Sequence, residues 1–163
     1  MKKKSLISLV IFSLIFMLAG WGKETVTTKE NYLLDTLIQL KIYGKNSEKA
    51  ADEAMKAISD VDEMMSPTKP SSDVVKINNN AGKDFVKINE DTLKVIKTSL
   101  EYSKLSKGNF DITVGPLVKL WGIGTENARV PSKNEIDESL KLINYKNILI
   151  DENNKSVKLK YSN

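Results

Sequence analysis

The segment Gly108–Gly122, GNFDITVGPLVKLWG, constrains this chain more than any other. It holds three of the eight glycines, one of the four prolines and one of the two tryptophans, and Asp111 follows directly on Phe110. Glycine allows positive φ and close approach of backbone to a neighbour, and Pro116 suits a helix's first turn, where its missing N–H has no partner to lose. Two readings follow. The segment is a ligand-facing loop, or it is a helix C-cap at Gly108 followed by a tight turn into a short buried helix.

The rest of the sequence narrows the chemistry. At 163 residues, with 40% hydrophobic and 28% charged residues, the chain is long enough for one domain with a core. The formal charge of +4 includes Lys2, Lys3 and Lys4 of an N-terminal targeting segment. Taking these three from the 25 basic residues leaves 22 against 21 acidic ones. The remaining lysines alternate with acids along helical stretches, which reads as solvated faces, and a nucleic-acid partner is not expected. The absence of cysteine and histidine excludes thiol nucleophiles, disulfides, imidazole bases and the common zinc sites, and any metal would be hard and oxygen-ligated.

Lys2–Lys4 followed by the apolar run Leu6–Ala19 has the form of a secretory signal, and the run is short for a membrane span of about 20 residues. Leu18-Ala19-Gly20 looks like the first three positions of a lipoprotein processing box, but Trp21 stands where the lipid-bearing cysteine would be. Residues 1–22 are therefore expected to direct export, with membrane association through the signal itself or through lipid if position 21 is natively cysteine. The expected location is extracytoplasmic. Residues 23–31, polar and without period, read as a tether, and residues 32–163 as the folded domain.

Along that domain, Ile38, Leu40 and Ile42 alternate on one face of a strand ending at Gly44. Ser47 is read as the cap of a helix to about Met64, and Ser72 as the cap of a short second helix. Phe85, Val86 and Ile88 suggest a brief strand. A helix over about 91–107 carries Leu93, Ile96, Leu100 and Ser103 inward. Ser132 and Glu135 form a capping box, and residues 147–160 read as a hairpin around the turn Glu152–Lys155.

The segment FDITVGPLVKLWGIG resembles the signature of the ApbE family, the FAD:protein FMN transferases, and the resemblance runs from about Tyr32 to the end. It implies an α+β fold related to the T-fold, a mixed sheet with flanking helices, of which this chain is the N-terminal part. It also implies FAD as substrate, Mg2+, and transfer of FMN to a threonine or serine of an exported acceptor protein. Asn109, Phe110 and Asp111 match the family's small-Phe-Asp segment and are the expected FAD contacts, Phe110 as an apolar surface and Asp111 as an acceptor for ribose or adenine donors. Leu34-Asp35-Thr36 align with a Met-Gly-Thr that touches the flavin nucleotide; Leu34 reads as an apolar contact or as strand-start core. Ser66 opens a loop similar to the family's Met-Ser-x-Tyr, with Thr68 at the tyrosine position and Ser72 and Asn78 in register.

The family's magnesium ligands and its Asp-Leu-Gly-Gly segment lie beyond the hairpin, so no metal ligand and no catalytic residue is assigned within this chain. Neither Asp62 nor Asp151 has a motif behind it. The chain alone is accordingly expected to be inactive. Two other functions fit the same scaffold: a flavin-binding module without turnover, and an FAD pyrophosphatase that uses water as acceptor.

Overall fold

A computed structural model describes residues 24–162; the signal segment 1–22 lies outside them. The chain divides into two units, Met1–Ser59 and Asp60–Asn163.

In the first unit, strands β1 (Val26–Leu33) and β2 (Thr36–Tyr43) pair antiparallel from Val26↔Tyr43 to Leu33↔Thr36. The reading of residues 23–31 as a tether is corrected here, since Val26 to Asn31 are strand. The half-buried positions of β1 include Thr27 and Lys29, so its alternation carries no hydrophobic signature. Ile38, Leu40 and Ile42 are half-buried on β2, as their spacing predicts.

Leu34 and Asp35 close this hairpin with φ of 54° and 57°. Positive φ at both turn residues matches the twist of the paired strands, yet it is a conformation that side-chain-bearing residues adopt at a cost of about 1–2 kcal/mol each. Leu34 is exposed and belongs to the turn, not to a strand-start core.

Helix α1 (Ser47–Met65) follows. Ser47 is inside its first turn and not its cap, because the Ala50 N–H donates to the carbonyl of Asn46, which holds the cap position. The buried Ser47 hydroxyl is instead 2.8 Å from that of Thr27 on β1. Lys29 of β1 also pairs with Asp52 of α1.

The second unit contains α2 (Asp73–Asn79), β3 (Val86–Lys87), α3 (Glu90–Leu105), α4 (Gly115–Trp121), α5 (Lys133–Leu140), a 3-10 turn (Tyr145–Asn147), β4 (Ile148–Asp151) and β5 (Ser156–Leu159). Its sheet runs β3-β5-β4, antiparallel throughout. Val157 on the central strand packs with Ile77, Ile88 and Leu93, and Val86, Ile96, Ile148, Ile150 and Leu159 lie against this cluster. The expected hairpin is β4–β5. With both units carrying strands and helices, the α+β class holds.

Caps fix where the helices begin. The fully buried Ser72 accepts from the Val75 N–H at 3.1 Å and donates to the Ser66 carbonyl at 2.6 Å. Asn89 caps α3, and Ser132 with Glu135 completes the capping box of α5. Glu135 also takes a two-pronged contact from Arg129, at 2.6 and 3.1 Å.

The Arg129 contact first, and the Ser132 bonds second, lower the Glu135 carboxyl from its ordinary 4.5 to about 2. A carboxyl whose folded pKa is depressed adds stability that is whole above its unfolded pKa and is lost as pH falls through its folded pKa. The start of α5 is therefore expected to hold from neutral pH down to about 4.5 and to loosen between there and about 2. Amide exchange of Ile136 against pH checks this, and Glu135→Gln should abolish the acid-dependent step.

Candidate functional site

Helix α3 delivers the chain to the Phe-Asp loop. Buried Ser103 donates to the Ser99 carbonyl at 2.8 Å, and the helix ends at Leu105, three residues before Gly108. Lys107 and Gly108 then take positive φ, 56° and 88°, which turns the backbone out of the helix. The Gly108 N–H reaches back to the Ser103 carbonyl at 2.9 Å, but the C-cap is Ser106 and not Gly108 as expected, and the short helix that follows, α4 (Gly115–Trp121), has no buried residue.

Asn109 and Phe110 are held on Ser106. The Asn109 side-chain amide donates to the Ser106 carbonyl at 3.0 Å, and the Phe110 N–H donates to the Ser106 hydroxyl, also at 3.0 Å. Phe110 is 47% exposed. A large aromatic left open on an anchored backbone offers a stacking surface for a planar ring.

Asp111 is engaged within the chain. Its Oδ1 accepts from the Thr113 N–H at 2.8 Å and the Thr113 hydroxyl at 2.7 Å, while its Oδ2 accepts from the Tyr145 N–H at 2.8 Å. A carboxylate offers about four acceptor positions, so three are taken by the chain itself. The side chain ties the loop to the 3-10 turn before β4, and any ligand donor would share what is left.

Past this point α4 opens with Gly115 and Pro116, as the sequence predicts for Pro116. It closes at Gly122, where φ is 62° and a Cβ would sit 2.7 Å from the Asn127 carbonyl oxygen, too close for any other residue. The Arg129 N–H returns to the Trp121 carbonyl at 3.1 Å, which holds the loop after α4 in place.

Two further regions carry expectations. Thr68 is exposed, its hydroxyl 3.1 Å from that of Ser66, and Lys69 beside it contacts Asp62 at 2.6 Å and also Glu63. The loop is thus pinned by its lysine and serine, and Thr68 presents no ring. An open groove of about 690 Å³ lies elsewhere, between α3 and the β4–β5 turn. Lys155–Glu90 at 2.6 Å and Lys97–Glu152 at 2.9 Å line it. None of Asn109, Phe110 and Asp111 does so.

The residues that sequence reasoning missed are Thr113, Asn144 and Ser106, which position the loop. The Asp111-x-Thr113 spacing was the available signal, since an aspartate commonly accepts from the backbone two residues on. Among the described residues no group of three or more His, Cys, Asp or Glu side chains could hold a metal ion.

These features define an α+β protein built around an anchored Phe-Asp loop. The ApbE family model matches residues 34–163, and the chain belongs to the ApbE family. It is 27% identical to the FAD:protein FMN transferase of Haemophilus influenzae over 96% of this chain and 48% of that protein. It is 30% identical to the FAD:protein FMN transferase of Escherichia coli over 69% of this chain and 33% of the relative. The fold superposes on the crystal structure of the ApbE protein from Thermotoga maritima with a TM-score of 0.77 and 32% identity, over 83% of this chain and 45% of that one. The chain thus spans about half the length, or less, of the relatives it matches.

Proposed function

We propose that this chain is the flavin-nucleotide-holding, N-terminal part of an exported FAD:protein FMN transferase. The observation that carries the reading is the anchored Asn109–Asp111 loop, with its open Phe110 ring, inside a chain matched by the ApbE family from residue 34 onward. Relatives named FAD:protein FMN transferase support the reaction.

In that reaction a threonine or serine hydroxyl of the acceptor protein attacks the FMN phosphorus of FAD. The new P–O ester bond forms as the P–O bond of the pyrophosphate breaks, AMP leaves with the electron pair, and the hydroxyl proton passes to solvent. This chain's part is to bind and orient the nucleotide: Phe110 stacks against a ring, on a backbone that Ser106 holds in place. Mg2+ belongs to the family's reaction, with its ligands expected outside the described residues. Residues 1–22, also outside them, supply the export signal, and the acceptor is an exported protein.

The test supplies FAD, Mg2+ and an exported acceptor, and follows acceptor mass and AMP. The 163-residue chain alone is expected to leave the acceptor unchanged, whereas a chain extended to the relatives' length adds one FMN and releases one AMP. Modification by the short chain would overturn the division of labour. Release of AMP by the extended chain with no gain in acceptor mass would make the activity hydrolysis, not transfer.

A further inference from the structure

Between the Phe-Asp loop and the core sheet stands one hydroxyl. Thr113 Oγ1 donates to Asp111 Oδ1 at 2.7 Å and accepts from the Asn144 N–H at 2.9 Å. It therefore works as a relay: a hydroxyl has one proton to give and lone pairs to receive, and both capacities are used across 31 residues of sequence. Next to it the Tyr145 N–H donates to Asp111 Oδ2 at 2.8 Å. Asn144 is itself held, because its side-chain oxygen accepts from the Lys146 N–H at 3.0 Å. The 3-10 turn that follows runs directly into β4.

We infer that Thr113 is a positioning residue for the nucleotide: through Asp111 on one side and the Asn144–Tyr145 turn on the other, it holds the Phe110 loop in its binding geometry. The inference rests on the flavin reading of that loop and adds to it a residue outside the Asn109–Asp111 contact set. The loop has two anchors. Ser106 fixes its start from α3, and Thr113 with Asp111 fixes its end from the sheet side. Removing the Thr113 hydroxyl leaves the second anchor to the bonds of Asp111 with the Thr113 and Tyr145 N–H groups alone, so that part of the ordering of the loop has to be met out of binding free energy. Valine at 113 keeps the shape and the backbone bond to Asp111 but loses both hydroxyl hydrogen bonds; serine keeps all three.

The experiment compares wild type, Thr113→Val and Thr113→Ser in FAD titrations followed by flavin fluorescence, well below each variant's melting temperature, together with amide exchange at Asn144. Thr113→Val is expected to speed exchange at Asn144 and weaken FAD binding about tenfold, and Thr113→Ser to restore both to within about twofold. Faster exchange with unchanged FAD affinity would make the contact purely structural and overturn the inference, as would unchanged exchange in Thr113→Val. A well-folded wild type that fails to bind FAD would instead remove the flavin reading, and the inference with it.

Discussion

Replacing Asp73 with alanine is expected to destabilise the protein by about 2–4 kcal/mol. Asp73 is 7% exposed, and its Oδ2 accepts from the Asn89 N–H at 2.8 Å and the Thr92 hydroxyl at 2.9 Å. It sits in the first turn of α2 and both partners sit at the start of α3, so one carboxylate oxygen joins two helix N-termini. Thr92 is 2% exposed; with the acceptor gone, its hydroxyl is cut off from water as well as from its partner, and this is why the loss exceeds that of an ordinary hydrogen bond. Asp73→Asn should lose much less, because both bonds go to one oxygen that an amide can present. Urea denaturation of the two variants reads this directly, and an alanine variant within about 1 kcal/mol of wild type would contradict it.

The second large effect is expected at Asp111, with the opposite response to amide replacement. Asp111→Ala removes three hydrogen bonds at once and should lower stability by about 2 kcal/mol while weakening FAD binding more than about tenfold. Asp111→Asn cannot rescue it. If the amide oxygen keeps the Thr113 contacts, the amide nitrogen then faces the Tyr145 N–H, donor against donor. Parallel urea and FAD titrations separate the effects, and near-wild-type behaviour of Asp111→Asn would show that the Tyr145 bond contributes little.

Local chemistry was legible in advance where the residues that make a structure are neighbours in sequence. Ser132 and Glu135 announced their capping box, the hairpin around Glu152–Lys155 fell where its turn residues lay, and Leu93, Ile96, Leu100 and Ser103 face inward from α3 as their spacing required. Strand β1 was not legible, because its ladder to β2 is made by backbone and its inner positions include Thr27 and Lys29. Ser47 was a near miss of the same kind. Its hydroxyl could cap a helix, but Asn46 stands one residue earlier and Thr27 offers that hydroxyl a partner 20 residues away.

The candidate site divides along the same line. Phe110 and Asp111 stand out in the sequence by resemblance, and the structure leaves Phe110 exposed. Asp111's partners Thr113 and Tyr145, and Thr113's partner Asn144, could not be read together, since Asn144 and Tyr145 come within reach only after the chain has passed through α4 and α5. An exposed acceptor and a loop clamp have the same residue type in sequence; they differ in which N–H groups the fold brings to them.

The most direct measurement is a flavin-fluorescence titration of FAD into the wild-type protein and into Phe110→Ala, with circular dichroism confirming that both are folded. The account predicts saturable binding by wild type and a loss of at least about tenfold in Phe110→Ala with little change in stability, since the ring is exposed. A folded wild type that does not bind FAD, or a Phe110→Ala protein that binds it equally well, would contradict the claim that this loop is where the nucleotide is held.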